Sequence, residues 1–326
     1  MMERQQLPRN RLARSCTWVF CLALTLALPV FAATSSFEIS LTAAQGRQVP
    51  VLVTHPKDPA QAKALIVFSH GAFAAPERYK RLMQAWAEGG YVVAAPMHVD
   101  SELNPDRDNF DRAQTMLTRL EDFGLLSTGE ALAEALSAAD IAVADTLIAA
   151  GHSYGAWIAQ IAGGARLPTV IAFPGSMLAA QQSVAAVVAL SPPAPMAGAM
   201  EKEDWSHISR PMLVVTGTAD ILPGFIDDWK GHLVSYEAAE TAPSYALIFA
   251  EQDHYFNGAF GRPRESLQPG DIRALDSLNT KTLQFLDALL DKRLPNRWEW
   301  EGMSTDFVEA RASALTEGHA VDEEGN

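Results

Sequence analysis

An α/β architecture, with a mainly parallel twisted sheet of about eight strands and helices on both faces, is the fold class this sequence predicts. Three observations carry it. Short continuous apolar runs recur along the 326 residues. Gly, Pro and Ser bound them, as they bound strands buried on both faces. Segments with helical spacing alternate with the runs, as crossover connections between parallel strands require. Composition agrees: 48% of residues are hydrophobic and 20% charged, enough apolar material for one large core.

The elements follow in order. Residues 1–32 read as a signal peptide: Arg4, Arg9, Arg11 and Arg14 precede the apolar run Trp18–Leu28, and Val30-Phe31-Ala32 offers a cleavage site. That run is shorter than the ~20 residues a membrane span needs, so no stable membrane insertion is expected after cleavage. Both cysteines, Cys16 and Cys21, fall within residues 1–32, and the mature chain is expected to have no disulfide. Phe37–Leu41 and Gln48–Thr54, split by Gln45-Gly46, predict an opening hairpin. Buried strands are then expected at Ala64–Ser69, Tyr91–Pro96, Thr146–Ala150, Val184–Leu190, Pro211–Thr216 and Ser244–Ala250. Helical spacing marks Pro76–Glu88, Asp108–Phe123, Gly129–Val143, Ser153–Ala162 and Asp271–Leu289. Pro192–Trp205 and Pro223–Glu240 break the rhythm and are either loops over a pocket or surface excursions. Residues 33–301 are expected to form a single domain, and residues 302–326 an acidic, disordered tail.

The chain carries a net charge of −14, and removing a leader of net +3 leaves −17. Such a surface repels phosphate backbones and anionic membranes, so nucleic acid is not an expected partner.

The chemistry concentrates at Gly151-His152-Ser153-Tyr154-Gly155, which follows a predicted strand and opens a predicted helix. That context is what a G-x-S-x-G nucleophile elbow requires, with Gly151 and Gly155 admitting the tight turn around Ser153. A hydroxyl needs a base to take its proton and a carboxylate to hold that base. Asp220 ends the run from Pro211, 67 residues after Ser153, and His254 follows by 34 after the next run. Both leave consecutive strands at the edge where the elbow lies. Asp227, Asp228 and Asp253 read as surface or outward-facing. His207 and His232 lie in loops with no strand to fix them, and His152 reads as a packing or supporting residue. Two backbone N–H groups should face the developing oxyanion. Tyr154, after the nucleophile, supplies one; in Ser69-His70-Gly71-Ala72-Phe73, Ala72 supplies the other with Phe73 in reserve. His98-Val-Asp100 is too thin for a metal site, and His98 reads as a loop histidine beside the pocket.

Ser69-His70-Gly71, the strand Gly90–Pro96, the elbow and the pair Asp220/His254 together resemble the α/β-hydrolases. Within that superfamily they are most similar to the branch of platelet-activating-factor acetylhydrolases, dienelactone-hydrolase-like esterases and polyester hydrolases. The resemblance spans about Ser36 to Leu290. Dienelactone hydrolases proper carry a cysteine nucleophile where this chain has Ser153, which puts that activity in doubt. The resemblance implies ester cleavage by Ser153, His254 and Asp220 through an acyl-enzyme, with no metal or organic cofactor. The expected substrate is a small-molecule, lipid or polymer ester, met outside the cytoplasm in a periplasm or as a secreted enzyme. Phe73, Trp205 and Phe225 are the expected pocket residues. The alternatives are an amidase, peptidase or acyltransferase on the same fold, or a non-catalytic binding protein that keeps the fold.

Overall fold

The computed structural model describes residues 34–58, 62–128, 130–167, 175–196 and 199–319. The expected leader lies outside these residues. Nine strands form one sheet in the order β1-β2-β4-β3-β5-β6-β7-β8-β9. The hairpin is β1 (Thr34–Thr42) and β2 (Gln48–Pro56), closed by the 3-10 turn Ala44–Gly46. Next come β3 (Leu65–Ser69), β4 (Val92–Pro96), β5 (Leu147–His152), β6 (Val184–Leu190), β7 (Met212–Gly217) and β8 (Ser244–Phe249). From β4 to β8 every neighbouring pair is parallel.

Two-sided burial explains the continuous apolar runs. Ile66, Phe68, Ile148, Ala150, Val188 and Leu213 join the core on one face, and Val67, Ala149, Val187 and Val214 the core on the other. Successive side chains on a strand point to opposite faces, so no polar alternation is tolerated here. The first face is covered by α1 (Lys80–Glu88), through Leu82 and Trp86, and by a long later helix. The second face is covered by α2 (Thr115–Thr128) through Leu120 and Phe123, and by α4 (Tyr154–Ala162) through Ile158 and Ile161. Between these run α3 (Glu130–Ala138), then α5 (Gly175–Ser183) and the short α6 (Lys202–Trp205) and α7 (Val234–Ala238). The long helix is α8 (Pro269–Leu290), which opens with Pro at its first position, where a missing N–H breaks no helical bond. After it, α9 (Arg297–Glu301) is started by a reciprocal cap between Asn296 and Glu299.

One expectation needs correction. The segment expected to be a disordered tail contains β9 (Val308–Ala312), which pairs antiparallel with β8 and closes the sheet edge. Its Val308, Ala310 and Ala312 are buried in the core, while Glu309 and Arg311 alternate with them and bond each other on the outside. A period of two over five residues is a real strand signal. Acidic neighbours on both sides conceal it. Among the described residues the sheet thus has nine strands, in keeping with the expected mainly parallel sheet of about eight.

The order β4-β3-β5 contains the point where the chain reverses its direction of winding, between the loops leaving β3 and β5. In open α/β sheets that crevice, outside the carboxyl ends of the strands, is where ligands bind. The candidate residues gather there. Among the described residues, no helix is long and apolar enough to cross a membrane.

Candidate active site

Ser153 joins β5 to α4 at φ 54°, ψ −118°, a backbone conformation that L-residues adopt only under strain. Its neighbours explain how the strain is held. A Cβ on Gly151 would overlap the Gly155 carbonyl, and one on Gly155 would overlap the Ser69 carbonyl. The Ser153 N–H is tied to the Leu190 carbonyl at 2.8 Å. Sheet, turn and helix thus approach too closely for any side chain but hydrogen at either glycine.

Asp220 and His254 leave β7 and β8, which the Gly217 turn brings together: a Cβ on Gly217 would overlap the Gln252 carbonyl. Asp220 is fully buried, and its Oδ1 accepts from His254 Nδ1 at 2.8 Å while Oδ2 accepts from Thr216 Oγ1 at 2.9 Å. That leaves His254 Nε2 as the ring nitrogen available toward the pocket, which His254 and Ser153 both line. Asp253 does not compete for the imidazole. Its Oδ1 caps the following turn, accepting from the N–H groups of Tyr255 (2.9 Å) and Asn257 (2.7 Å). Asp227 and Asp228 are exposed and accept from local backbone N–H groups.

His232 was missed by sequence reasoning. It lies in the 3-10 turn Trp229–Leu233, where neither periodicity nor a strand marks it. Its Nδ1 lies 2.5 Å from the Pro192 carbonyl, and its Nε2 lies 2.9 Å from Asp220 Oδ1, off the hydrogen-bonding axis. Asp220 thus serves two histidines. Burial would raise the Asp220 carboxyl, but His232 and His254 outweigh it and hold the group well below the usual carboxylate range. Burial would likewise lower His232, but the Asp220 carboxylate outweighs it and raises the imidazole above its ordinary value.

The stability consequence of each shift has a definite sign. The Asp220 contribution is fully present above about pH 4, the unfolded carboxyl value, and is lost as pH falls through the depressed folded value. The His232 contribution is fully present below about pH 6.5 and is lost as pH rises through the raised folded value. The melting-temperature advantage of wild type over His232→Gln should therefore shrink between pH 6 and 9. A constant difference over that range would show that His232 does not change protonation there.

His152, inside the elbow, lines the pocket beside His254 and is tied into a chain of hydrogen bonds. The Gly71 N–H donates to Tyr79 Oη at 3.0 Å, Tyr79 Oη lies 2.8 Å from His152 Nδ1, and His152 Nε2 lies 2.8 Å from the His254 carbonyl. The only donor order consistent with all three puts the ring proton on Nε2. Burial, and next the neighbouring His254, lower His152 well below the usual histidine range, so it is neutral.

Ala72 N–H makes no hydrogen bond among the described residues and Ala72 lines the pocket. Tyr154 opens α4, where the first N–H groups have no intrahelical partner. Phe73, held in reserve as a donor, is corrected: its N–H is given to Asp100 Oδ2 at 3.2 Å.

These residues surround a cavity of about 740 Å³. Phe73 and Phe225 line it, exposed by 51% and 81%. Trp205 does not. It is fully buried under α4, with Nε1 donating to Gln160 Oε1 at 2.8 Å, a polar anchor that sequence could not foresee. Trp157 instead forms wall and core together, and both irregular segments contribute, through Pro193, Ala194 and Met196 and through Leu222 and Ile226. His98 is also corrected: it is fully buried beneath the β3 loop, between Ser69 and Asp122, rather than beside the pocket. Among the described residues, Asp220, His232 and His254 form the one group whose ligand atoms, within 4.8 Å of one another, could gather a metal ion. The same atoms make the carboxylate–imidazole contacts above.

A family model described as Chlorophyllase matches residues 31–192, which include the Ser69–Phe73 loop and the elbow but neither Asp220 nor His254. No curated protein matches the sequence significantly. Among solved structures, the fold is similar to a protein assigned as a dienelactone hydrolase from Klebsiella pneumoniae subsp. pneumoniae MGH 78578, with TM-score 0.52 and 16% identity, covering 77% of this chain and 99% of that one. It is also similar to esterase 2 of Thermogutta terrifontis phosphorylated by paraoxon, with TM-score 0.54 and 18% identity over 79% of this chain and 94% of that one. The native form of that esterase gives TM-score 0.53 and 19% identity, over 79% and 92%.

Proposed function

We propose that this chain, an α/β-hydrolase in fold, is a serine esterase that cleaves carboxylic esters through an acyl-enzyme. The observation that carries the reading is the strained Ser153 at the head of α4, sharing its pocket with a histidine that a buried carboxylate orients. Backbone strain of this kind persists only where the surroundings impose it, and it concentrates at functional sites. A non-catalytic binding role would leave the strain and the buried Asp220–His254 pair unexplained.

In the reaction, Ser153 Oγ attacks the ester carbonyl carbon and its proton passes to His254 Nε2. The carbonyl oxygen becomes an oxyanion facing the N–H groups of Ala72 and Tyr154. The intermediate collapses as the alcohol leaves with the proton from His254 Nε2. Water then repeats the sequence on the acyl-enzyme: His254 accepts its proton and returns it to Ser153 Oγ as the acid departs. Asp220 keeps the imidazole in the Nδ1–H tautomer throughout. No step calls for a metal or organic cofactor. Apolar walls from Phe73, Trp157, Met196, Leu222 and Ile226 favour acyl or aromatic groups over polar ones. A p-nitrophenyl ester series from acetate to palmitate tests the reading: the expected result is a pre-steady-state burst and a defined chain-length optimum. No turnover on any ester would sink it.

Export is proposed on the leader-like residues 1–32, and an ester of small molecules, lipids or polymers as substrate follows from that setting. The acidic balance supports the absence of a nucleic-acid partner. Mass spectrometry of the exported protein should find a chain beginning near Ala33; an intact Met1 terminus would argue against cleavage.

A further inference from the structure

The proposed mechanism assigns no part to Arg119, the bulkiest fully buried charged side chain among the described residues. Arg119 lies on α2 and is wholly inaccessible to solvent. Its Nε and Nη2 each donate to Asp100, to Oδ1 and Oδ2, both at 2.8 Å, a two-pronged pairing that fixes the guanidinium plane. The same guanidinium donates through Nη1 to the His70 carbonyl at 2.6 Å and through Nη2 to the Gly71 carbonyl at 3.1 Å. Asp100 returns to the same loop, accepting the Phe73 N–H. Ala72 is therefore bracketed: the two carbonyls before it are held by Arg119, and the N–H after it by Asp100. Arg119 also lies 4.6 Å from the centre of the Tyr154 ring, the residue carrying the other N–H.

We infer that Arg119 and Asp100 are positioning residues for the oxyanion site, a buried ion pair that sets the Ala72 N–H and the Tyr154 N–H at a fixed spacing. The inference rests on the esterase reading above. Taking two charges out of water is expensive, and an apolar pair of equal volume often serves stability as well. Here the pair satisfies two loop carbonyls and one loop N–H at once, and Phe73 adopts φ 61° within that grip. Behind it, Asp122 takes a bond from Arg47 at 2.6 Å and pairs with His98 at 2.8 Å, while His98 reaches Ser69 Oγ at 2.8 Å. The loop is thus tied at Ser69, at the His70 and Gly71 carbonyls and at the Phe73 N–H, and a misplacement of about 1 Å at a reacting centre can cost about 100-fold in rate.

A thiono substitution reads this directly, because a C=S sulfur accepts hydrogen bonds poorly and gains little from a well-placed donor pair. Wild type should hydrolyse a p-nitrophenyl ester much faster than its thionoester. In Arg119→Lys and Asp100→Asn the oxoester kcat should fall by about 10- to 1,000-fold, with KM within about threefold. The thionoester rate should fall far less, so the oxo/thiono ratio should collapse. Lysine keeps the charge without the fork; asparagine keeps an acceptor for Phe73 without the charge. If Arg119→Lys does not fold, Asp100→Asn carries the test. Oxoester and thionoester rates falling in equal proportion in folded variants would overturn the inference and leave the esterase reading intact. Absence of ester turnover in wild type would overturn both.

Discussion

On the proposed esterase mechanism, Ser153→Ala is expected to lower kcat/KM on the best p-nitrophenyl ester by about 10⁴- to 10⁶-fold and to abolish the burst. The size of the effect follows from the division of labour at the site. Without the hydroxyl no acyl-enzyme forms, and the proposed base His254 is left to act on water, which is not held in place as the elbow holds Oγ. What remains is binding and oxyanion stabilisation, which acting alone retain only a small fraction of the rate. Alanine at this position keeps the positive φ of 54°, so the backbone strain is not relieved and the melting temperature should move little. The measurement is stopped-flow release of p-nitrophenolate, with circular dichroism as the folding control. A folded variant retaining a tenth of the wild-type rate would mean that another nucleophile acts.

Among the described glycines, Gly155→Ala is expected to be the most damaging substitution by alanine. The added carbon would overlap the Ser69 carbonyl, and the nearest atoms are backbone of β3 and its loop, not the yielding end of a side chain. Relief would require α4 to withdraw from the sheet, opening the core around Ile158 and Ile161. A loss of about 4 kcal/mol or more is expected, the range reserved for overpacking that nothing can absorb. For a protein this size it corresponds to about 10 °C or more in Tm, or to insoluble protein. Gly270→Ala in α8 is the matched control: its Cβ would meet open space, and a helical Ala in place of Gly stabilises by up to about 1 kcal/mol. Equal melting of Gly155→Ala and wild type would contradict the close approach of helix and strand at the elbow.

Much of the fold was legible in the sequence because a strand buried on both faces admits only apolar residues, and the runs from β3 to β8 are just that. The end β9 escaped because it buries one face only, and Glu309 and Arg311 dilute its pattern within an acidic stretch. At the site, Ser153, Asp220 and His254 could be named because each sits where a strand ends, and strand ends in a parallel sheet share one edge. Trp205 could not be placed because its direction depends on Gln160, a partner 45 residues away. His232 and Asp100 are likewise defined by distant partners that no local spacing encodes. Arg119 did carry a signal. It falls on the apolar stripe of α2 with Leu120 and Phe123, where a charge must find a buried counterpart.

The chain of bonds from Gly71 through Tyr79 and His152 ends on the His254 carbonyl, an acceptor that cannot reverse. His152 Nε2 must therefore donate to it, and in the neutral ring Nδ1 accepts from the Tyr79 hydroxyl, which also takes the Gly71 N–H. Burial, and next the neighbouring His254, disfavour a second proton on this ring, so its Nδ1 stays an acceptor. An imidazole whose ring centre lies 4.7 Å from that of His254 is in this way kept uncharged, a strut of the pocket wall. The acid–base behaviour of the pocket is left to the other side, where Asp220 is shared between two rings.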